Sequence, residues 1–224
     1  MRVASYNVRK CVGLDWRRDP ERVLRVIRAL GADIVALQEA DRRLGRRPSA
    51  FGDRDLYGTG LIPLSAQSPS LGWHGNAILV RPDWPVGRVE RLALPGLEPR
   101  GALCAEISSP GGPLCVVATH LGLRRADRQK QLAYLRAAIG PERLGHCCLL
   151  GDLNEWSDRT GFAPLDDALQ MVTPGRSFHA AWPVACLDRM FLGRDLQLRS
   201  AGVHRDDEAR QASDHFPIWA DITS

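Results

Sequence analysis

The sequence predicts an α/β domain, on three observations. Strand-like, helical and strand-like patterns follow one another between residues 3 and 38, and such alternation builds an α/β unit. Short apolar runs recur through the rest of the chain, punctuated by Gly, Pro, Asn and Asp, as strands and their turns require. A second amphipathic helix pattern, residues 126–139, sits among those strands. The chain has 224 residues, 44% apolar and 25% charged, with no internal repeat, low-complexity tract or linker, so one domain over residues 1–224 is expected.

Val3 to Val8 reads as the first strand, with Asn7 at its end. A basic loop from Arg9 to Arg18 leads to Asp19-Pro20, an N-cap carboxylate followed by proline at the first helical position. Val23, Val26, Ile27 and Leu30 recur at helical spacing, and Gly31 is placed to stop that helix. Asp33 to Gln38 is a buried strand delivering Glu39. Residues 41–72 are rich in loop formers and hold the Arg42–Arg47 basic cluster, which most often is a solvated face. Ala77 to Val80 forms a third strand entered through Asn76. Leu103 to Ile107 and Leu114 to Thr119 pair as a hairpin across Pro110-Gly111-Gly112, ending in His120. Leu132, Leu135, Ala138 and Ile139 share the apolar face of the second helix. Cys147 to Leu150 is a strand, Asp188 to Leu192 another, and Leu196–Val203 and Pro217–Ile222 complete the set around a polar loop, 204–213.

A formal charge of +4 suits an anionic substrate without identifying one. No apolar run approaches transmembrane length and no signal-peptide pattern leads the chain, so cytoplasmic residence is expected. The six cysteines form no CxxC-type metal pattern; Cys104, Cys115, Cys147 and Cys148 read as small core residues.

Polar residues collect at predicted strand tips: Asn7, Glu39, His120, Asp152, Asn154, Asp188 and the pair Asp214-His215. Each alone reads more simply as a turn residue or a surface ion pair. Asp152 and Asn154 point the same way as long as their strand stays extended. If the tips converge, clustered carboxylates need a cation, and oxygen donors without thiols favour Mg²⁺, with Mn²⁺ as the alternative.

The segments Ser-Tyr-Asn-Val, Asp-Ile-Val-Ala-Leu-Gln-Glu, Ala-Thr-His-Leu, Leu-Leu-Gly-Asp-Leu-Asn, Leu-Asp-Arg and Ser-Asp-His, in this order, resemble the motifs of the endonuclease/exonuclease/phosphatase superfamily, whose deoxyribonuclease I-like members are metal-dependent phosphohydrolases. The resemblance spans essentially the whole chain. It implies a four-layered α/β sandwich, two packed mixed β-sheets flanked by helices. It further implies Asn7, Glu39 and Asp214 at a Mg²⁺ ion, and Asp152 as the residue that activates water. Asn154 would bond a phosphoryl oxygen or that water, and His215 would bind phosphate with Asp188 fixing its tautomer. His120 would contact the phosphate from the other side and protonate the leaving group. Asn76 is expected to orient His120, and Arg100 to clamp phosphate or form a structural ion pair. Arg9 stands where abasic-site endonucleases of the superfamily carry an acidic residue, which argues against a repair enzyme of that kind. The expected activity is Mg²⁺-dependent hydrolysis of a small or lipid-derived phosphoester. The alternative is a sequence-nonspecific DNA or RNA nuclease using Arg9, Lys10 and the Arg42–Arg47 cluster. A catalytically dead binding module on the same scaffold is the third reading.

Overall fold

The computed structural model describes residues 1–42, 48–52, 56–64, 69–157 and 160–224. The strands are Arg2–Asn7 (β1), Ile34–Gln38 (β2), Ile62–Pro63 (β3), Ala77–Val80 (β4), Val86–Leu94 (β5), Arg100–Ser109 (β6), Gly112–His120 (β7), Cys147–Asp152 (β8), Gln170–Val172 (β9), Asp188–Leu192 (β10), Gln197–Val203 (β11) and Ile218–Thr223 (β12). The α-helices are Pro20–Leu30 (α1), Arg125–Ile139 (α2), Pro141–Leu144 (α3) and Asp207–Ala212 (α4). Two six-stranded sheets result, ordered β11-β12-β1-β2-β4-β3 and β5-β6-β7-β8-β10-β9.

Alternation along the central strands divides their side chains between three apolar layers. Val3, Ile34, Ala36, Ile78 and Val80 meet Leu103, Ala105, Val116, Ala118 and Leu150 between the sheets. Their neighbours Ala4, Tyr6, Val35 and Leu37 face Val23, Leu24, Ile27 and Leu30 of α1. On the far side, Cys104, Cys115, Val117, Cys147 and Leu149 pack on Leu132, Leu135 and Ile139 of α2. Helix, sheet, sheet, helix is the four-layered sandwich that the motifs imply. The local signals act as expected: Asp19 accepts the Arg22 N–H at 3.0 Å, Pro20 opens α1, and Gly31 closes it at φ 56°.

Three strands, β3, β5 and β9, carry no clear signal in the sequence. All are edge strands, and an edge need not bury an apolar face. In β5, Arg88, Glu90 and Arg91 break the alternation. The loop expected at 204–213 contains α4, capped by Asp206 accepting from Ala209 N.

Register places the site. β1 runs parallel to β2, and β7 parallel to β8, so their C-terminal ends lie at one end of the sandwich. Antiparallel neighbours present the opposite ends of β4, β6, β10 and β12 there. His120 lies directly opposite Asp152, and Asp152 opposite Asp188, which sets three polar residues in a row across β7, β8 and β10.

Gly151 makes that row fit. Its φ of 155° disfavours side chains, and a Cβ there would stand 1.8 Å from the Thr119 carbonyl oxygen. Gly151→Ala should destabilise the fold by about 1–3 kcal/mol, read as a lower urea midpoint. It should also displace Asp152, so activity should fall further than the folded fraction does.

Candidate active site

Asp152, 2% exposed, is the meeting point of the two sheets. Its Oδ2 accepts the Asn7 amide from β1 at 2.9 Å and faces the Nε2 atoms of His120 at 3.4 Å and His215 at 3.6 Å. Its Oδ1 accepts the Asn154 N–H at 3.0 Å. Asp188, fully buried, accepts from His215 Nδ1 at 2.8 Å and from the Ser177 hydroxyl at 2.5 Å. The His215 ring is thereby oriented with Nε2 toward Asp152.

Burial pushes both imidazoles toward the neutral form, but their neighbours differ. At His120, desolvation dominates the opposing pull of Asp152, and Arg100 adds to it, bringing the pKa to about 3. At His215, burial lowers the pKa while Asp188 and Asp152 together raise it, to about 9. One ring is held neutral and the other charged, within reach of the same carboxylate.

Glu39, at φ 51° just beyond β2, pairs with the Lys10 ammonium. Asp214 pairs with Arg9, Nε to Oδ2 3.4 Å, and Ser213 donates to the Asn7 carbonyl at 2.7 Å. Asn7 Oδ1 accepts the Arg9 N–H at 3.1 Å. Clustered acids are thus balanced by cations of the loop that follows β1. Glu39 and His120 also line a cavity of about 420 Å³, together with Lys10, His74 and Arg100.

Two residues behave differently from expectation, and a third, Arg100, takes one of its two expected roles. The chain leaves β8 after Asp152, and Asn154 takes φ 52°, so its amide donates to the Leu121 carbonyl at 2.9 Å instead of lying beside Asp152. Asn76 does not orient His120: its amide donates to the carbonyls of Gly101, 2.9 Å, and Trp73, 3.2 Å, tying β4 to β6. Arg100 donates through Nε, at 3.0 Å, and Nη2, at 2.7 Å, to the single oxygen Glu98 Oε2 while still lining the cavity. Within the basic cluster, Arg43, Arg46 and Arg47 lie outside the described residues; Arg42 lines the cavity.

Sequence reasoning missed Ser177, a lone serine in a loop, and read Lys10 only as a nucleic-acid contact, not as the partner of Glu39. It also missed the clamp on the Asn154 loop. Glu155 Oε2 accepts from Arg128 of α2 at 2.7 Å, with both side chains buried, and Arg189 donates to the carbonyls of Glu155, 2.8 Å, and Ser157, 3.0 Å. Burial alone would raise the Glu155 carboxyl pKa, but Arg128 and the Ser157 N–H hold it below the usual value. A depressed pKa means the pair contributes fully above the ordinary carboxylate range and is lost as pH falls through the folded value. Arg128→Met should therefore cost about 3–5 kcal/mol at neutral pH, because the buried carboxylate would keep only the Ser157 N–H and Arg125, whose Nε is 4.0 Å away. The difference from wild type, measured by urea unfolding, should shrink in acid.

A model of the Endonuclease/Exonuclease/phosphatase family matches residues 4–215. The chain is 32% identical over 163 residues to the uncharacterized protein YbhP of Escherichia coli K12, a match covering 67% of this chain and 63% of that one. An endonuclease/exonuclease/phosphatase from Beutenbergia cavernae has the same fold at a TM-score of 0.78 and 21% identity, covering 100% of this chain and 71% of that chain. A mannosyl-6-phosphatase from Bacteroides thetaiotaomicron does so at 0.72 and 16%, covering 100% of both.

Proposed function

The chain belongs to the endonuclease/exonuclease/phosphatase family, whose members hydrolyse phosphoester bonds, and from that premise we propose that it is a Mg²⁺-dependent phosphoesterase for a small or lipid-derived substrate. The observation that carries the proposal is the Asp152 carboxylate, held by Asn7 and Asn154 and facing two imidazoles in opposite charge states.

The donor chemistry fits a hard cation. Glu39, Asp214 and Asn7 offer oxygen alone, and both carboxylates already take a positive partner, Lys10 or Arg9. These three residues would hold Mg²⁺, with Mn²⁺ as the alternative. When bound, the ion would supply charge neutralisation at phosphoryl oxygens. The remaining work falls to this chain's own groups. Asp152 orients water and takes its proton, an acceptor role for which its four neighbours fix the carboxylate. His215, charged and braced by Asp188, meets the negative phosphoryl oxygens and is the group with a proton to give the departing oxygen. His120, held neutral, contributes a hydrogen bond rather than charge, so the expectation that it protonates the leaving group moves to His215. Arg100 and Lys10 face the cavity, which has room for a small substituent on the phosphate. A sugar phosphatase on the same fold is consistent with such a substrate. The nuclease alternative would draw on Arg9 and Lys10, which here are paired to Asp214 and Glu39.

The test is Mg²⁺-dependent hydrolysis of bis-p-nitrophenyl phosphate, p-nitrophenyl phosphate and supercoiled plasmid, wild type beside His215→Ala. The proposal expects turnover of a small ester, reduced about 10²–10⁴-fold in the variant, with plasmid intact. Plasmid nicking that disappears in the variant would establish the nuclease reading instead. No turnover of any substrate, with folding confirmed, would favour the dead scaffold.

A further inference from the structure

Among the described residues, the five most exposed large apolar side chains are Trp16 at 79%, Trp182 at 78%, Leu97 at 72%, Leu123 at 67% and Trp156 at 62%. The next, Val184, is 50% exposed and lies two residues from Trp182. Scattered surface hydrophobics are ordinary. Their distribution here is not scattered.

Strand direction assigns each to a loop at one end of the sandwich. Trp16 follows the C-terminal end of β1, Leu97 joins β5 to β6, and Leu123 follows β7. Trp156 follows β8, and Trp182 lies between β9 and β10. The register of β6, β7, β8 and β10 makes this the end that carries His120, Asp152 and Asp188. Direct contacts agree. The Arg9 guanidinium lies 4.7 Å from the Trp16 ring while reaching Asp214. Trp156 meets Phe178 edge-on at 6.0 Å, and Phe178 lies 4.8 Å from the His215 ring. Five separate loops therefore ring the polar site with apolar tips.

Charge at the rim is patterned too. Trp16 is followed by Arg17 and Arg18, and Leu123 by Arg124 and Arg125, all exposed. Arg176 and Arg205, also exposed, flank the Trp182 loop. Several acids of the same loops turn back to the protein: Asp15 to Arg22, Glu98 to Arg100 and Asp206 to His204.

We propose that this ring is a docking surface for an anionic lipid bilayer, seating the active-site mouth on the membrane. Tryptophan suits the water–hydrocarbon boundary, and leucine partitions below it. Arginine beside them attracts anionic headgroups while its stem stays among the apolar groups. Single-stranded nucleic acid fits less well, because Leu97 and Leu123 offer no stacking face and the aromatic rings stand on separate loops. A protein seated on the ring would cover the mouth, whereas a bilayer would supply substrate to it. The surface stands on topology and exposure; its use in delivering a lipid phosphoester rests on the phosphoesterase reading.

The test is flotation of the full chain with phosphatidylcholine vesicles, with and without phosphatidylglycerol, beside the variant Leu123→Asn/Trp182→Ala checked for folding by circular dichroism. Wild type should bind the anionic vesicles at least ~10-fold more tightly than the neutral ones, and the variant should lose most of that binding. Absence of wild-type binding, equal binding by a folded variant, or binding of a single-stranded oligonucleotide in place of vesicles would each overturn the proposal. Binding is read without turnover: a protein that floats with vesicles yet hydrolyses nothing contradicts only the enzymatic reading. One that hydrolyses soluble ester but ignores vesicles contradicts only the docking surface.

Discussion

Everything at the site depends on how one buried carboxylate is held and aimed. Asp152 is nearly sealed from water, and an uncompensated charge there would be costly. The fold answers with donors from both sheets. Asn7 comes across from β1, the chain's own Asn154 N–H curls back, and His120 and His215 stand on either side. The bond from Asn7 ties the tips of the two sheets together, so the sandwich and the site share a constraint. Gly151 belongs to the same logic: only a residue without Cβ lets β8 lie against the Thr119 carbonyl and still present Asp152 in line with His120 and Asp188.

A second consequence is the division between the histidines. Both are buried beside one acid, but only His215 has a second carboxylate behind it, and Ser177 holds that carboxylate in place. Two rings with the same intrinsic chemistry become one cation and one neutral donor, a separation that suits phosphoryl chemistry. Glu39 and Asp214 lie outside this network and draw on Lys10 and Arg9 instead. The site therefore has a hydrogen-bonded half and an ion-paired half. Asp152, Asp188 and His215 also lie close enough together to satisfy the distances of a metal cluster, while Asp152 accepts from the Asn7 amide and Asp188 from His215 Nδ1.

Much of this was legible in the sequence. Central strands show their pattern because both faces are buried: the runs ending at Asn7, Gln38, His120 and Leu150 are nearly pure apolar. α1 announces itself through Asp19, Pro20 and Gly31. Edge strands β3 and β9 do not, being only two and three residues long, nor does β5, whose run Arg88, Glu90 and Arg91 interrupt. The convergence of Asn7, His120, Asp152, Asp188 and His215 follows from strand tips meeting at one end. What sequence could not supply is direction at the last residue: the left-handed turn that sends Asn154 to Leu121, or the bonds that commit Asn76 to β6. Nor does spacing reveal that Arg128, on a helix, would secure the loop beyond β8, or that Ser177 would sit behind Asp188.

The most direct test of the central claim separates the two halves. Mg²⁺ binding, by calorimetry, and small-ester hydrolysis should be measured side by side for wild type, Asp152→Asn and Glu39→Gln, each confirmed folded. The account predicts that both variants lose hydrolysis, but that only Glu39→Gln loses Mg²⁺ binding. If Asp152→Asn abolished Mg²⁺ binding while Glu39→Gln retained it, the ion would belong to the Asp152 cluster, and the assignment of Asp152 to water would be wrong.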